Sequence, residues 1–427
     1  MEWLEKLKSG ITRVEAEGMH VLAEVQNEAM AFLDEIKQHL TQNPEPVFAL
    51  LRRLSPILVV GKTALVTRYE DVQEVLSREA VFQVTYTQKM EIIGDGANFF
   101  LGMQNSPEYE RDQSHMRTVI RRQDLVGQIQ PLVAKTAEDL VSASRGRIDV
   151  VALSRVVPIR LIATYFGCPA DSEEDLARWS TAMFQYLFTD QQNDAAVGAM
   201  ARDAAVKARG WLDQTIAERK KKDAQQDDVL GRCLALQKAG LAGMDDMGIR
   251  NNLLGLIIGA IPTTSKCCAQ VLDVLLKRPD KLQEAQQAAR KDNDALVAQY
   301  VFEALRFSPN NPGIFRLAAE DYTVAKGKMH ATTIRRGTSV IAATQSAMFD
   351  ETFVDAPNEF RTGRPDYGYM HFGYGLHTCF GQYINRVQIP GILKPLLKRN
   401  GLRRADGVSG QLRYDGSFPR SLMVMFD

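Results

Sequence analysis

The sequence predicts a mainly α fold with small β-sheets, and three observations predict it. Residues from about 107 to 310 keep helical apolar spacing almost throughout. Residues 311 to 427 change texture, with short β-prone runs alternating with Gly, Pro and Asn. No Pro/Gly/Ser-rich or charged linker separates independent domains. The expectation is a helix-rich body with a strand-and-loop C-terminal third over 44–427, preceded by an N-terminal helical extension over 1–43.

In the extension, Val21, Leu22, Val25, Ala29, Phe32 and Leu33 recur at helical spacing until Asn43-Pro44-Glu45-Pro46 breaks the pattern. Residues 56–68 read as two short strands about a Gly61-Lys62 turn. Gly61-Lys62-Thr63 is not a phosphate loop, because the earlier glycine of that motif is Pro56 here. The run Glu218 to Asp223 reads as a solvated helix end, and Gly240 to Met247 as a turn. Further on, Asp321 to Val324, Thr338 to Ala342 and Leu422 to Phe426 read as strands.

Lys plus Arg is 52 and Asp plus Glu is 52, so the formal net charge is zero. That balance argues against bulk electrostatic binding of nucleic acid or of an anionic membrane surface. The 5 cysteines (Cys168, Cys233, Cys267, Cys268 and Cys379) show no paired spacing and do not read as a disulfide framework. A reducing, cytoplasmic compartment is expected. The amphipathic N-terminus has no apolar core of a signal peptide. The apolar stretch Leu253 to Pro262 falls short of the roughly 20 residues of a membrane span.

The most informative segment is His371-Phe-Gly-Tyr-Gly-Leu-His-Thr-Cys-Phe-Gly381. Gly373, Gly375 and Gly381 let the backbone take positive φ and approach a flat partner closely. Cys379 falls just before a helix-like run, where the dipole and the free N–H groups favour the thiolate, the form that binds metal. Zinc bound by His371, His377 and Cys379 is one alternative, but zinc takes about four ligands and no second Cys or His pair lies nearby. A Cys379 nucleophile with His377 as base is another, although the two stand only two positions apart in a glycine loop.

The pattern Phe372-x-x-Gly375-x-His377-x-Cys379-x-Gly381 resembles the cysteine-ligand loop of soluble, bacterial-type cytochromes P450. The resemblance runs over about residues 44 to 425 and implies the cytochrome P450 fold with heme b (iron protoporphyrin IX) as cofactor. It implies that Cys379 is the metal ligand and that Phe372 packs near the sulfur. Gly373 and Gly381 would shape the loop, and His377 would reach a haem propionate. A thiolate ligand donates electron density to the iron.

Glu303-Ala-Leu-Arg306 places an acid and a base three apart on one helix face, a spacing that by itself is common in surface pairs. It stands 76 residues before Cys379 and is followed by Arg316, Pro357 to Phe360 and Arg364. That order resembles the family's K-helix and meander, which implies a structural charge cluster of Glu303, Arg306 and Arg364 and a propionate-binding Arg316. Buried charges of this kind must be paired. Near the C-helix the family's propionate-binding residues are replaced by Tyr109 and Gln113, with Arg117 one turn further on the same face. Tyr109 and Arg117 are therefore carried as cofactor-binding candidates.

Residues 249–278 resemble the long central helix of the family, with its oxygen-activation motif at Gly259-Ala260-Ile261-Pro262-Thr263-Thr264. Gly259 and Ala260 leave room over the cofactor, and Thr263 and Thr264 match the hydroxyl positions. The family's acid is absent; its position is Pro262. Proline inside a helix removes an N–H and should kink or open it. Two readings stay open. In one, a monooxygenase inserts one oxygen atom from O2, with protons arriving through water, Thr263 and the carbonyl freed by Pro262. In the other, a hydroperoxide isomerase, lyase or peroxygenase needs no such relay. Thr263 could also simply bond back to the preceding turn. In the helix after Cys379, Pro390 and Pro395 are expected to shorten or kink the run.

The implied substrate is a hydrophobic small molecule, such as a terpenoid, lipid or polyketide. By resemblance, its wall includes residues 98–101, 184–188, 256–263 and 313–315 and the neighbourhood of Phe418. The resemblance also implies a monomer and a separate ferredoxin with its reductase. Arg111, Arg117, Arg121 and Arg122 could steer such a donor or form a solvated basic face.

Overall fold

A computed structural model describes residues 44–97, 99–222 and 226–427. The expected helix within 1–43 and the wall residue Asn98 lie outside the described residues. The described residues divide into two compact units, each assembled from two separated stretches: 44–85 with 311–378, and 86–310 with 379–427.

The first unit begins with helix α1 (Pro44–Leu54), strands β1 (Ile57–Val60) and β2 (Thr63–Val66), helix α2 (Tyr69–Ser77) and strand β3 (Phe82–Gln83). The expected hairpin about Gly61-Lys62 is present, with Val60 paired to Thr63 and Gly61 at φ 57°. The unit's second stretch supplies β5 (Ile314–Ala318), β6 (Tyr322–Val324), β7 (Thr332–Ile334), β8 (Ser339–Ala342) and the short α13 (Thr344–Ala347). These build a five-stranded sheet in the order β1-β2-β8-β5-β3 and a two-stranded β6-β7 ribbon. β2 and β8 run parallel, with Leu65 opposite Ile341. Val47, Phe48 and Leu51 form one apolar face of α1 and pack with Leu58, Val60, Leu65 and Ala343.

The second unit is helical. It contains α3 (Thr87–Gly94), α4 (Pro107–Val119), α5 (Gln130–Ala143), strand β4 (Arg147–Asp149), α6 (Val150–Thr164), α7 (Glu173–Phe184), α8 (Ala195–Lys221), α9 (Val229–Lys238), α10 (Asp246–Leu276), α11 (Pro279–Arg290) and α12 (Asp294–Phe307). After Cys379 follow α14 (Gln382–Lys398), β9 (Arg403–Arg404), β10 (Arg413–Asp415), β11 (Phe418–Ser421) and β12 (Met423–Met425). The strands form a β10-β11 hairpin and a β4-β12-β9 sheet.

Local chemistry sets several boundaries. Ser106, Asp228 and Asp245 cap α4, α9 and α10 by accepting from the backbone N–H three residues on. α10 ends where Arg278-Pro279 cannot continue it. It is apolar nearly all round, and such a helix belongs in a core. By length and composition it could cross a membrane, yet 67% of its most apolar window is buried inside the protein.

The expectations that Pro262 opens α10 and that Pro390 or Pro395 shortens α14 need correcting. α10 is helical through Pro262, and α14 runs unbroken over 17 residues through Pro390 and Pro395. All three rings are buried, and that apolar burial offsets the lost backbone bonds.

Candidate functional site

Each unit carries part of the predicted site. In the second, Cys379 stands three residues before the first residue of α14, half-buried. Burial raises the pKa of its thiol, and the backbone N–H of Gly381 offsets only part of that rise. That N–H is a donor aimed at sulfur of the kind that stabilises a thiolate. Gly381 lies against the thiol, with Sγ 3.9 Å from where a Cβ would be. Phe380 turns into the core, edge-on to Phe100 at 5.1 Å, and the Arg117 guanidinium covers its ring at 5.1 Å.

Helix α10 carries the Gly259–Thr264 segment that the resemblance assigns to oxygen activation. From Ile249 to Leu275 every residue is buried except Leu256, Gly259, Ala260 and Thr263. Those four sit at i, i+3, i+4 and i+7, one strip of the helix left uncovered by protein. A Cβ on Gly259 would meet nothing within 4 Å. Thr263 Oγ1 donates to the carbonyl of Gly259. Thr264 turns the other way, and its Oγ1 lies 3.4 Å from Asn385 Oδ1, which ties α10 to the helix that follows Cys379. One turn before the strip, Gly255 admits the ring of Phe99, whose Cδ1 lies 2.3 Å from where a Cβ would stand. Phe418 meets Phe184 edge-on at 5.5 Å, and Phe184 meets Phe188 at 4.6 Å, so these expected wall residues form one aromatic cluster.

Glu303 and Arg306 are paired and fully buried on α12. Arg306 Nη2 lies 2.8 Å from Glu303 Oε1, and Nε lies 3.1 Å from Oε2. Tyr109 is buried, with its hydroxyl accepting from Gln113, whereas Arg117 is exposed. The other arginines named for partner steering are engaged. Arg111 pairs with Asp112 at 2.7 Å, Arg121 reaches Asp227 at 3.5 Å, and Arg122 covers the Tyr383 ring at 3.7 Å.

In the first unit, the loop before the cysteine is held in shape by its glycines. Gly373 and Gly375 have φ of 76° and 75°. A Cβ on Gly375 would stand 2.3 Å from the Leu76 carbonyl oxygen, so only glycine fits there. The Leu376 N–H donates to Glu79 Oε1 at 2.9 Å, and the Thr378 hydroxyl to the Gly375 carbonyl at 2.7 Å. Phe372 lies half-buried, edge-on to His371 at 6.5 Å.

Arg316 is buried on β5 and acts electrostatically on His377. Burial first, and then the positive charge of Arg316, push the imidazole down to about 4. At neutral pH His377 is therefore a neutral donor beside a cation. A carboxylate placed there would reverse the repulsive sign of that pairing, which is what a propionate group requires. Arg364 donates to the carbonyls of Asp355, Ala356 and Glu359, fastening the meander within its own unit.

Within the second unit, a thiol under a backbone donor and an uncovered apolar strip bearing a hydroxyl fit a haem, and within the first an Arg–His pair suits its carboxylates. Sequence reasoning named Asn385 only as a departure from the family pattern and did not single out Phe380 or Lys266. Only for Lys266 was there a signal, a lone cation inside the apolar run of α10.

Comparison with known proteins points the same way. The family model described as Cytochrome P450 matches residues 55–417. The chain is 25% identical over 363 residues to the vitamin D(3) 25-hydroxylase of Pseudonocardia autotrophica, covering 81% of this chain and 84% of that one. It is 27% identical over 388 residues to the nocardicin C N-oxygenase of Nocardia uniformis subsp. tsuyamanensis, covering 84% and 89%. Among solved structures, P450BioI in complex with an acyl carrier protein ligated to hexadec-9Z-enoic acid superposes with a TM-score of 0.78. That match covers 92% of this chain and 100% of that one at 22% identity, a likeness of fold. With the match spanning most of the sequence, the chain belongs to the cytochrome P450 family of haem oxidoreductases.

Proposed function

We propose that this chain is a haem-thiolate monooxygenase that inserts one oxygen atom from O2 into an apolar small molecule, with Cys379 as the iron ligand. The observation that carries the reading is the link within one unit between the Cys379 helix and the Thr263–Thr264 motif of α10, through Thr264 and Asn385. Its relatives named as a hydroxylase and an N-oxygenase support it. When bound, haem supplies the redox-active iron centre for O2 chemistry, which no side chain here can provide.

The protein's own groups have distinct tasks. Gly381 N–H favours the thiolate form of Cys379. Arg316 and His377 would receive the propionates. Leu256, Gly259 and Ala260 offer an apolar face on which a substrate lies without competing hydrogen bonds. Thr263 Oγ1, oriented by the Gly259 carbonyl, keeps an acceptor lone pair for water. Pro262 has no N–H, so the Ile258 carbonyl is released from the helix ladder and can hold that water. This pair would deliver protons where the family's acid otherwise does. Electrons would come from a separate ferredoxin and its reductase, in a reducing cytoplasmic setting.

Pro262 also favours a second reading, in which a hydroperoxide substrate brings its own O–O bond and no proton relay from solvent is needed. The bifunctional dioxygenase–epoxy alcohol synthase of Fusarium oxysporum is 22% identical over 384 residues, covering 81% of this chain and 30% of that one. Turnover assays separate the two. Product formed with NAD(P)H, ferredoxin and its reductase under O2 supports the monooxygenase. Product formed only from a fatty-acid hydroperoxide rejects it in favour of the second reading.

A further inference from the structure

The uncovered strip of α10 leads to a charge that the proposed chemistry does not use. Lys266 follows Thr263 by one turn and Gly259 by two, so it continues the same side of the helix. It is 9% exposed. Among the described residues its ammonium has no hydrogen-bond or ion-pair partner. Its surroundings are aromatic. Nζ lies 5.7 Å from the centre of the Phe418 ring, and from there a row of rings runs through Phe184 and Phe188 to Tyr86, which meets Phe188 at 4.7 Å. Arg155, on α6, donates to the Pro419 carbonyl at 3.0 Å beside Phe418 and is thereby committed to the backbone.

A buried ammonium without a partner is costly, and a core position on an apolar helix would be filled better by Met or Leu. The cost is visible in Lys266 itself, which burial pulls down to about 8. At that value it is still mostly protonated at neutral pH. A single cation set among rings suits a single negative charge attached to an apolar body, whereas a phosphate with two charges would call for more donors. The ring faces add their own attraction to the cation and a surface for an alkyl or cyclic chain.

We infer that Lys266 anchors the carboxylate of a hydrophobic monocarboxylic acid whose apolar body lies against the Phe418–Phe184–Phe188 cluster and the open strip of α10. The inference rests on the proposed function, because it names the substrate class of that same site.

The test uses purified holoprotein and three probes of equal chain length: dodecanoate, methyl dodecanoate and 1-dodecanol. Affinities are read by the perturbation of the haem spectrum and, independently, by titration calorimetry. Wild-type protein should bind dodecanoate at least about tenfold more tightly than either neutral probe. Lys266→Met should erase that preference while leaving methyl dodecanoate affinity within about threefold. Lys266→Arg should retain the preference for the acid, and Lys266→Gln serves if the Met variant does not fold. Equal wild-type affinity for acid and ester, no binding of the acid, or a preference that survives Lys266→Met would each overturn the inference. The reduced, CO-bound spectrum of the same samples separates the two levels. A thiolate signature without acid preference rejects the anchor alone, and loss of the signature rejects the proposed function.

Discussion

Thr263 Oγ1 donates its hydrogen bond to the carbonyl of Gly259, four residues earlier on α10. The bond is local, of the kind a helix hydroxyl makes by default. It also fixes the hydroxyl on the uncovered strip of the helix, where an acceptor lone pair stays available.

If Thr263 only closed that local bond, removing its hydroxyl would be nearly silent. Under the monooxygenase reading, Thr263→Ala should fold with an unchanged melting temperature. It should form product at least about tenfold less efficiently per NAD(P)H consumed. Thr263→Ser should restore most of the yield. Product per reduced nucleotide is the measurement, because it isolates the proton-delivery role from substrate binding.

Pro262 leaves the Ile258 carbonyl without its partner four residues on, although α10 stays helical. Placing an acid there tests whether proton supply limits the reaction. Pro262→Asp should raise O2-driven turnover severalfold and leave hydroperoxide-driven turnover unchanged. Equal O2-driven rates in both proteins would show that proton supply is not limiting.

The Glu303–Arg306 pair is fully buried, so removing one carboxylate takes a counter-charge from a guanidinium that has no access to water. Glu303→Gln should lower unfolding free energy by about 3–5 kcal/mol in urea titrations and reduce haem loading during expression. A loss below about 1 kcal/mol, the range of surface pairs, would contradict the structural role.

Lys266 links stability to pH with a definite sign. Its folded value, about 8, lies below its ordinary 10.5, so the folded protein binds fewer protons than the unfolded one. The penalty is fully present below about 8 and is relieved as pH rises toward 10.5. Among the described residues, the titratable group that acts on it electrostatically is Cys267, on its own helix. Lys266→Met should therefore be more stable at pH 7 by roughly 3 kcal/mol, and its advantage should shrink in denaturant titrations taken toward pH 10.

Much of this arrangement was legible from the residues. The resemblance to the family's central helix over 249–278 placed α10 within three residues at each end. Gly373 and Gly375 were legible because positive φ, and at Gly375 the close approach to Leu76, demand glycine. The division into two units was not, because each unit joins stretches distant in sequence and no linker marks the change. The prolines of α14 misled because a local rule omits the tertiary burial of their rings. Arginine spacing over 111–122 left donor steering and a solvated basic face open; in the structure Arg111 and Arg121 pair with acids and Arg122 covers a tyrosine ring. Lys266 was passed over because a lone lysine in a helical pattern ordinarily marks the solvent side.

The account stands on sulfur ligation by Cys379, and the reduced, CO-bound absorption spectrum tests it most directly. The wild-type protein should show the red-shifted Soret band of a thiolate-ligated haem, and Cys379→His, still loaded with haem, should lose it. A haem-loaded wild type without that band, or a Cys379→His variant that keeps it, would contradict the assignment.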